Sequence, residues 1–370
     1  MNFRIFASCQ LKEKMIYQGK QKIWSDYQKD IPDDHWFYAR SCIRQNFFPA
    51  SEVYFLKICR DILGKDICDN EHHTSCGGIA YHSDTIPQET AMTIIARQFA
   101  LMTEAGYENL AVSCITSFGN YCETVETWRE YPELEAKIRE LLWKSCRREF
   151  RVPKVIAHCS DVMYSLRNEI AERAQHRLVD AYTGEPLRIV EHIGCHYAKM
   201  FPHKGVGGAE YPCVLSGMVE SWGGSVIDYP ERRHCCGYGF RQYHVQANRG
   251  YCVGNTYKKF ESMEPFHPDA IVTNCPGCPY FLDRWQYVIS EQTGKTYGAD
   301  GHGIPVLTYE EMAGLVLGVD PWDLGLQLHQ VGPEPLLDKM GVPYDASRKY
   351  LGLDEKDLGK PELPSVLKCC

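Results

Sequence analysis

Short runs rich in apolar residues alternate with longer stretches of helical periodicity along most of the chain, which predicts an α/β fold. The short runs predict strands over 3–7, 110–113, 155–157, 189–193, 225–229, 270–273 and 304–307. Helical spacing predicts helices over 87–105, 132–146, 160–175, 213–222, 242–263 and 310–317. In the first of these, Pro87 stands at the first helical position, and Met92, Ile95, Phe99 and Met102 recur at near-helical spacing. Gly106 supplies the stop. Beyond Asp320 the chain becomes rich in proline, glycine and charge, which predicts an extended arm or partner-binding segment.

The pattern repeats. In the second half WGGSVIDYPERRHCCGYG precedes a helix, a strand and then VTNCPGCPYF; in the first, ILGKDICDNEHHTSCGGIA precedes a helix, a strand and then AVSCITSFGN. An offset of 160 places Gly64 on Gly224, Ile67 on Ile227, Cys76 on Cys236 and Gly77 on Gly237. An offset of 161 places Cys114 on Cys275 and Ser117 on Cys278. FASCQLK matches HIGCHYAK, which pairs Cys9 with Cys195 and implies about 26 extra residues between Cys9 and Cys59. The chain therefore reads as a duplicated domain, 1–150 and 151–320, followed by an extension over 321–370.

Composition narrows the function. With 44% hydrophobic and 24% charged residues, the 370-residue chain has the make-up of a globular protein. A net charge of −8 argues against nucleic-acid binding, which needs a basic surface to displace counterions. The N-terminus shows no basic stretch followed by a sustained apolar one, and no run of about 18 apolar residues exists, so neither secretion nor a membrane span is expected. The expected location is cytoplasmic, with thiols reduced. GVGGAE at 205–210 lacks the strand–turn–helix context of a dinucleotide site.

Eighteen cysteines then demand an account. In a reducing compartment, cysteines at short spacings point to metal ligation or thiol catalysis rather than a disulfide framework. The second half has the form Cys-x39-Cys-Cys-Gly-x37-Cys-Pro-Gly-Cys, from Cys195 through Cys235, Cys236 and Cys275 to Cys278. Each group follows a predicted strand, and in an open parallel sheet the carboxyl ends of the strands converge on one edge. Zinc in a closed tetrahedral site takes four ligands, and five thiols exceed that need. Adjacent cysteines fit a multi-iron cluster better, because each thiolate can take a different metal. Gly237 lets the backbone turn tightly there. His196 and His234, each beside a cluster cysteine, are candidates for donating a proton or a hydrogen bond.

The segments GCHYAKM, RHCCGYGF, NCPGCPYF and IPVLTYEEMAGLVLGVD resemble, in order and spacing, the cysteine-rich CCG domain of the heterodisulfide reductase B-type subunit. The resemblance covers most of residues 1–320. It implies two duplicated CCG domains, each a small, mostly parallel sheet flanked by helices. It further implies a noncubane [4Fe-4S] cluster held by Cys195, Cys235, Cys236, Cys275 and Cys278, and an oxidoreductase subunit that interconverts thiols and disulfides. The implied partners are a ferredoxin-like C-type subunit, through it a flavoprotein A-type subunit, and a thiol or disulfide substrate that a protein can carry. The asymmetry between the halves resembles the heterodisulfide reductase-like proteins of sulfur oxidation. The alternative within the family is an electron-transfer relay subunit with no disulfide substrate of its own.

The first half departs from that pattern. It offers Cys9, Cys76 and Cys114, while Ser75 and Ser117 stand where Cys235 and Cys278 predict thiols. A second iron–sulfur cluster there needs a fourth ligand from Cys42, Cys59, Cys68 or Cys122; the other reading is an empty, degenerate site. Cys159, Cys213 and Cys252 read as structural, and Cys369 and Cys370 as a terminal pair of no assigned role.

Overall fold

A computed structural model describes residues 31–348 except 79, 81–84, 200–205, 207–211 and 239–248. Two four-stranded, all-parallel sheets with helices packed against them form the α/β frame. The first contains β1 (Trp36–Ala39), β2 (Ile67–Asp69), β3 (Asn109–Val112) and β4 (Val155–His158), in the order β2-β1-β3-β4. The second contains β5 (Arg188–His192), β6 (Ser225–Ile227), β7 (Ala270–Thr273) and β8 (Val306–Thr308), in the order β6-β5-β7-β8. The two orders are the same, as duplication requires. The strand expected at 155–157 closes the first sheet, so that sheet runs past residue 150.

Every strand expected between 110 and 307 is present within one or two residues, and the one expected at 3–7 lies outside the described residues. β1 and β2 were not expected. β1 is a four-residue run, Trp-Phe-Tyr-Ala, entered through His35 in the left-handed region at φ 64°, and all four residues are fully buried. Burial on both faces removes the alternation that would mark a strand.

The helices in chain order are α1 (Cys42–Phe47), α2 (Pro49–Lys57), α3 (Gln88–Glu104), α4 (Ile115–Glu130), α5 (Pro132–Cys146), α6 (Cys159–Ser165) and α7 (Arg167–Glu172). In the second half they are α8 (Cys195–Lys199), α9 (Val214–Ser221), α10 (Arg249–Met263), α11 (Gly277–Thr293), α12 (Tyr309–Val316) and α13 (Glu334–Met340). In α3 the predicted stripe Met92, Ile95, Phe99 and Met102 is buried, and Pro87 caps the helix instead of opening it. Its end is a Schellman closure: Gly106, at φ 84°, donates to Thr103 O at 3.1 Å while Tyr107 N–H donates to Met102 O at 3.0 Å. The helix expected over 160–175 is broken at Leu166 into α6 and α7. No helix among the described residues is long and apolar enough to cross a membrane.

The halves interlock through equivalent elements. α6 follows β4 and packs on α9 of the second half; α12 follows β8 and packs on α2 of the first. Both crossing helices start with a capping box, His158 with Asp161 and Thr308 with Glu311. Between them lies Arg44, fully buried and paired with Glu310.

The extended arm expected beyond Asp320 is corrected as far as 348. Leu324, Leu326, Leu336, Leu337 and Met340 are buried, because apolar residues punctuate the polar composition often enough to seat the segment on the second half. Within it, His329 Nε2 lies 3.2 Å from Glu311 Oε1, with both side chains buried. Burial alone would depress this imidazole, but Glu311 and, beyond it, Asp283 hold it up at about 9. A folded-state value above the unfolded one stabilises fully below the unfolded pKa of about 6.5 and fades as pH rises through the folded value, here at most about 3 kcal/mol. The wild-type protein should therefore exceed a His329→Gln variant in urea resistance at pH 6, and the gap should close towards pH 10. A gap independent of pH in paired unfolding curves would remove the ion pair as its cause.

Candidate iron–sulfur site

The cysteines gather because the loops after β5, β6 and β7 all leave one edge of the second sheet. β5 lies between β6 and β7, so the chain departs in opposite directions on either side of it, the place where α/β sheets open a crevice. Cys195 opens α8 three residues after β5, Cys235 and Cys236 sit in the loop after β6, and Cys275 and Cys278 bracket the entry to α11 after β7. Gly194 N–H donates to Asn274 Oδ1 at 3.0 Å, which ties the β5 loop to the β7 loop. A side chain at Gly194 would sit 2.8 Å from Cys275 Cβ, so only glycine lets these loops meet. Gly237, at φ 96°, turns the Cys-Cys segment against α10, where a Cβ would meet Cys252 O at 2.6 Å.

All five thiols line one cavity of about 390 Å³. Cys236 Sγ is 3.3 Å from Cys278 Sγ, and Gly237 N–H donates to Cys235 Sγ at 3.4 Å. Contact with Cys195, then with Cys236, pulls the Cys235 thiol down, while contact with Cys235 pushes Cys195 and Cys236 up. Burial pushes Cys278 up. Thiolates this close repel one another, so the full set can ionise together only around a multivalent cation. A soft, multi-iron centre fits five sulfur donors in this arrangement.

His192, at the end of β5, places Nε2 3.2 Å from Cys278 Sγ, and with Cys236 and Cys278 it forms a buried trio of potential ligands. Sequence reasoning passes over it. The signal available is a histidine ending a predicted strand three residues before a candidate cysteine. His196 lines the cavity and meets Thr116 Oγ1 of the first half at 3.0 Å. His234 turns aside: its Nε2 is 2.6 Å from Asn255 Oδ1 and its Nδ1 is 3.4 Å from Glu231. Neither atom reaches the cavity lining.

The first half builds the opposite wall of the same cavity. In the strand registers, Ala39 pairs with Val112 as His192 pairs with Thr273. Three residues beyond Ala39 is Cys42, three beyond His192 is Cys195, and each opens the next helix. Cys42 thus takes the position the motif comparison gave to Cys9, which lies outside the described residues. The other correspondences agree with the repeat offsets. Ser75 Oγ accepts from Gly77 N–H at 3.3 Å, as Cys235 Sγ does from Gly237, and Ser117 Oγ meets Cys76 Sγ at 2.9 Å, where Cys278 meets Cys236. Cys42, Cys76 and Cys114 all line the cavity with Ser75 and Ser117. Cys59, Cys68 and Cys122 do not, so among the described residues the first half brings three thiols to the cavity and no fourth. Burial pushes Cys114 up to about 12. Cys159 and Cys252 are buried core thiols.

A cysteine-rich CCG domain is matched over residues 189–283, a span that holds all five thiols. Over 323 residues, 85% of this chain and 98% of the relative, the sequence is 25% identical to the B-type subunit of the ferredoxin:CoB-CoM heterodisulfide reductase of Methanosarcina acetivorans. It is 27% identical over 298 residues, 78% of this chain and 91% of the relative, to the counterpart of the same name in Methanosarcina mazei. Among solved structures, a hypothetical protein from Helicobacter pylori shares the fold with a TM-score of 0.58 and 15% identity, over 87% of this chain and 60% of its own length. The chain thus carries a cysteine-rich CCG domain over 189–283 that holds the five-thiol motif, and along most of its length it is similar to B-type subunits of heterodisulfide reductase.

Proposed function

We propose that this chain is the iron–sulfur redox subunit of a heterodisulfide reductase-like complex, interconverting thiols and disulfides at a noncubane [4Fe-4S] cluster in the second half. The carrying observation is the convergence of five thiols from three separate loops on one cavity. Cys195, Cys235, Cys236, Cys275 and Cys278 would hold the cluster. When bound, it would supply irons that accept further sulfur ligands and pass electrons singly. Around it the protein's own groups have distinct tasks. His192 Nε2 is within hydrogen-bond distance of Cys278 and can fix the orientation of that thiolate. His196, held by Thr116, faces the cavity and can deliver a proton to a departing thiolate.

The relatives are named as B-type subunits of ferredoxin-linked reductases, which supports an assembly here with a ferredoxin-like C-type subunit and, through it, a flavoprotein A-type subunit. Catalysis in the cytoplasm on a thiol or disulfide, free or carried on a protein, completes the proposal. Iron, acid-labile sulfide and zinc analysis of anaerobically prepared protein, with EPR after oxidation in the presence of thiol, tests it. Iron with sulfide and a thiol-dependent paramagnetic signal are expected, and Cys236→Ser should abolish that signal. Stoichiometric zinc with negligible sulfide would falsify the cluster and the redox function together.

A further inference from the structure

The first half is short of two thiols, but its serines are not idle. Ser117 Oγ donates to Cys76 Sγ at 2.9 Å, Gly78 N–H donates at 3.4 Å and Asn120 Nδ2 at 3.8 Å. Gly78 makes the amide's approach feasible, since a Cβ there would collide with Asn120 Nδ2. Three donors thus converge on one sulfur and fix its direction into the cavity. At the equivalent place in the second half the neighbour is another sulfur, Cys278, which suits metal ligation. Replacing a thiol by a hydroxyl removes a soft ligand and adds a donor. Cys76 also faces the cavity that the five-thiol set lines from the other side.

We propose that Cys76 is a nucleophilic thiol that attacks a disulfide bound in the shared cavity, rather than a cluster ligand. The inference rests on the reading of this cavity as a thiol–disulfide site. In the step, Cys76 thiolate displaces one half of RS–SR′: the S–S bond breaks, a Cys76–S–SR bond forms, and R′S⁻ leaves. The reaction is exchange without net oxidation or reduction. A second thiolate, R″S⁻, attacks the mixed disulfide at the substrate sulfur, releases RS–SR″ and restores the Cys76 thiolate. Ser117 positions that sulfur through its hydrogen bond. Among the described residues the lining is made of thiol, hydroxyl and apolar side chains with one imidazole, which suits an uncharged alkyl disulfide.

The test uses full-length protein, purified anaerobically and assayed for iron, exposed to bis(2-hydroxyethyl) disulfide. Adducts are located by peptide mass mapping, with the half-buried Cys146, on α5 and outside the cavity, as the internal reference. Cys76 should form the adduct at least about tenfold faster than Cys146, with iron content unchanged. Ser117→Ala should slow the Cys76 reaction about tenfold, the equivalent of one hydrogen bond to a charged group, and Ser117→Thr should restore it. Asn120→Ala is the independent variant should Ser117→Ala not fold, with slowing of about threefold expected. Glutathione disulfide, which is charged, should react more slowly than the neutral probe, and an equal rate would refute the substrate class. A Cys76 that reacts only after chelation removes the iron is a ligand, and the proposal fails. Iron-free protein with a reactive Cys76 would instead remove the cluster reading and leave this one standing.

Discussion

Serine at position 275 should eliminate the thiol-dependent EPR signal and any disulfide turnover, whereas serine at position 114 should leave the signal in place. The two residues occupy equivalent sites two residues beyond β7 and β3, and both are buried on the wall of the same cavity. What differs is their company. Cys275 stands with four other thiols, while Cys114 has Cys42 and Cys76 and two serines. A serine hydroxyl is harder and far less acidic than a thiol, so it is a poor substitute at iron. Within the five-thiol set each ligand is needed, and loss of one should cost most of the iron in the second half. Iron and sulfide content, measured beside the EPR signal, separates loss of the cluster from loss of its reactivity. Loss of the signal in Cys114→Ser with its survival in Cys275→Ser would reverse the assignment of the halves.

Much of this asymmetry was legible in the chain. The spacings within the Cys-Cys-Gly and Cys-Pro-Gly-Cys loops are local, and local spacing fixes which side chains leave the same loop. The repeat offsets of 160 and 161 likewise placed Ser75 and Ser117 correctly, because the loops after β2 and β3 have kept nearly the length of their counterparts. Cys42 escaped for a physical reason. The strand that announces it, β1, is four residues long and buried on both faces, so no alternation marks it. FASCQLK offered a better likeness of a strand followed by cysteine, and only the β1–β3 register decides between the two. The meeting of both halves at one cavity was out of reach for the same kind of reason. It depends on α6 and α12 crossing to the opposite half, and contacts of that range leave no periodicity in the sequence.

That crossing has a single buried ionic fastening among the described residues, and breaking it should have a large cost. Arg44 and Glu310 are 1% and 0% exposed, and Arg44 has further duties. Its Nε donates to Ser113 O at 2.9 Å, its Nη1 to Ser51 Oγ at 2.8 Å, and its Nη2 to Asn274 O at 3.4 Å. Ser113 and Asn274 are the residues immediately before Cys114 and Cys275, so one guanidinium holds the third-strand loops of both halves. Arg44→Met should destabilise the protein by about 3–5 kcal/mol, because it leaves Glu310 charged and buried with no counterion. Burial then favours the protonated carboxyl, which limits the loss but does not restore the hydrogen bonds to the loops. The double variant Arg44→Met with Glu310→Met should recover at least half of the stability, since two apolar side chains of similar length remove the uncompensated charge. It should not recover full iron loading, because the tether between Ser113 and Asn274 is still missing. Urea unfolding with iron analysis on the same samples distinguishes the two effects. A loss below about 1 kcal/mol in Arg44→Met, the range of an exposed pair, would show that this ion pair does not fasten the halves.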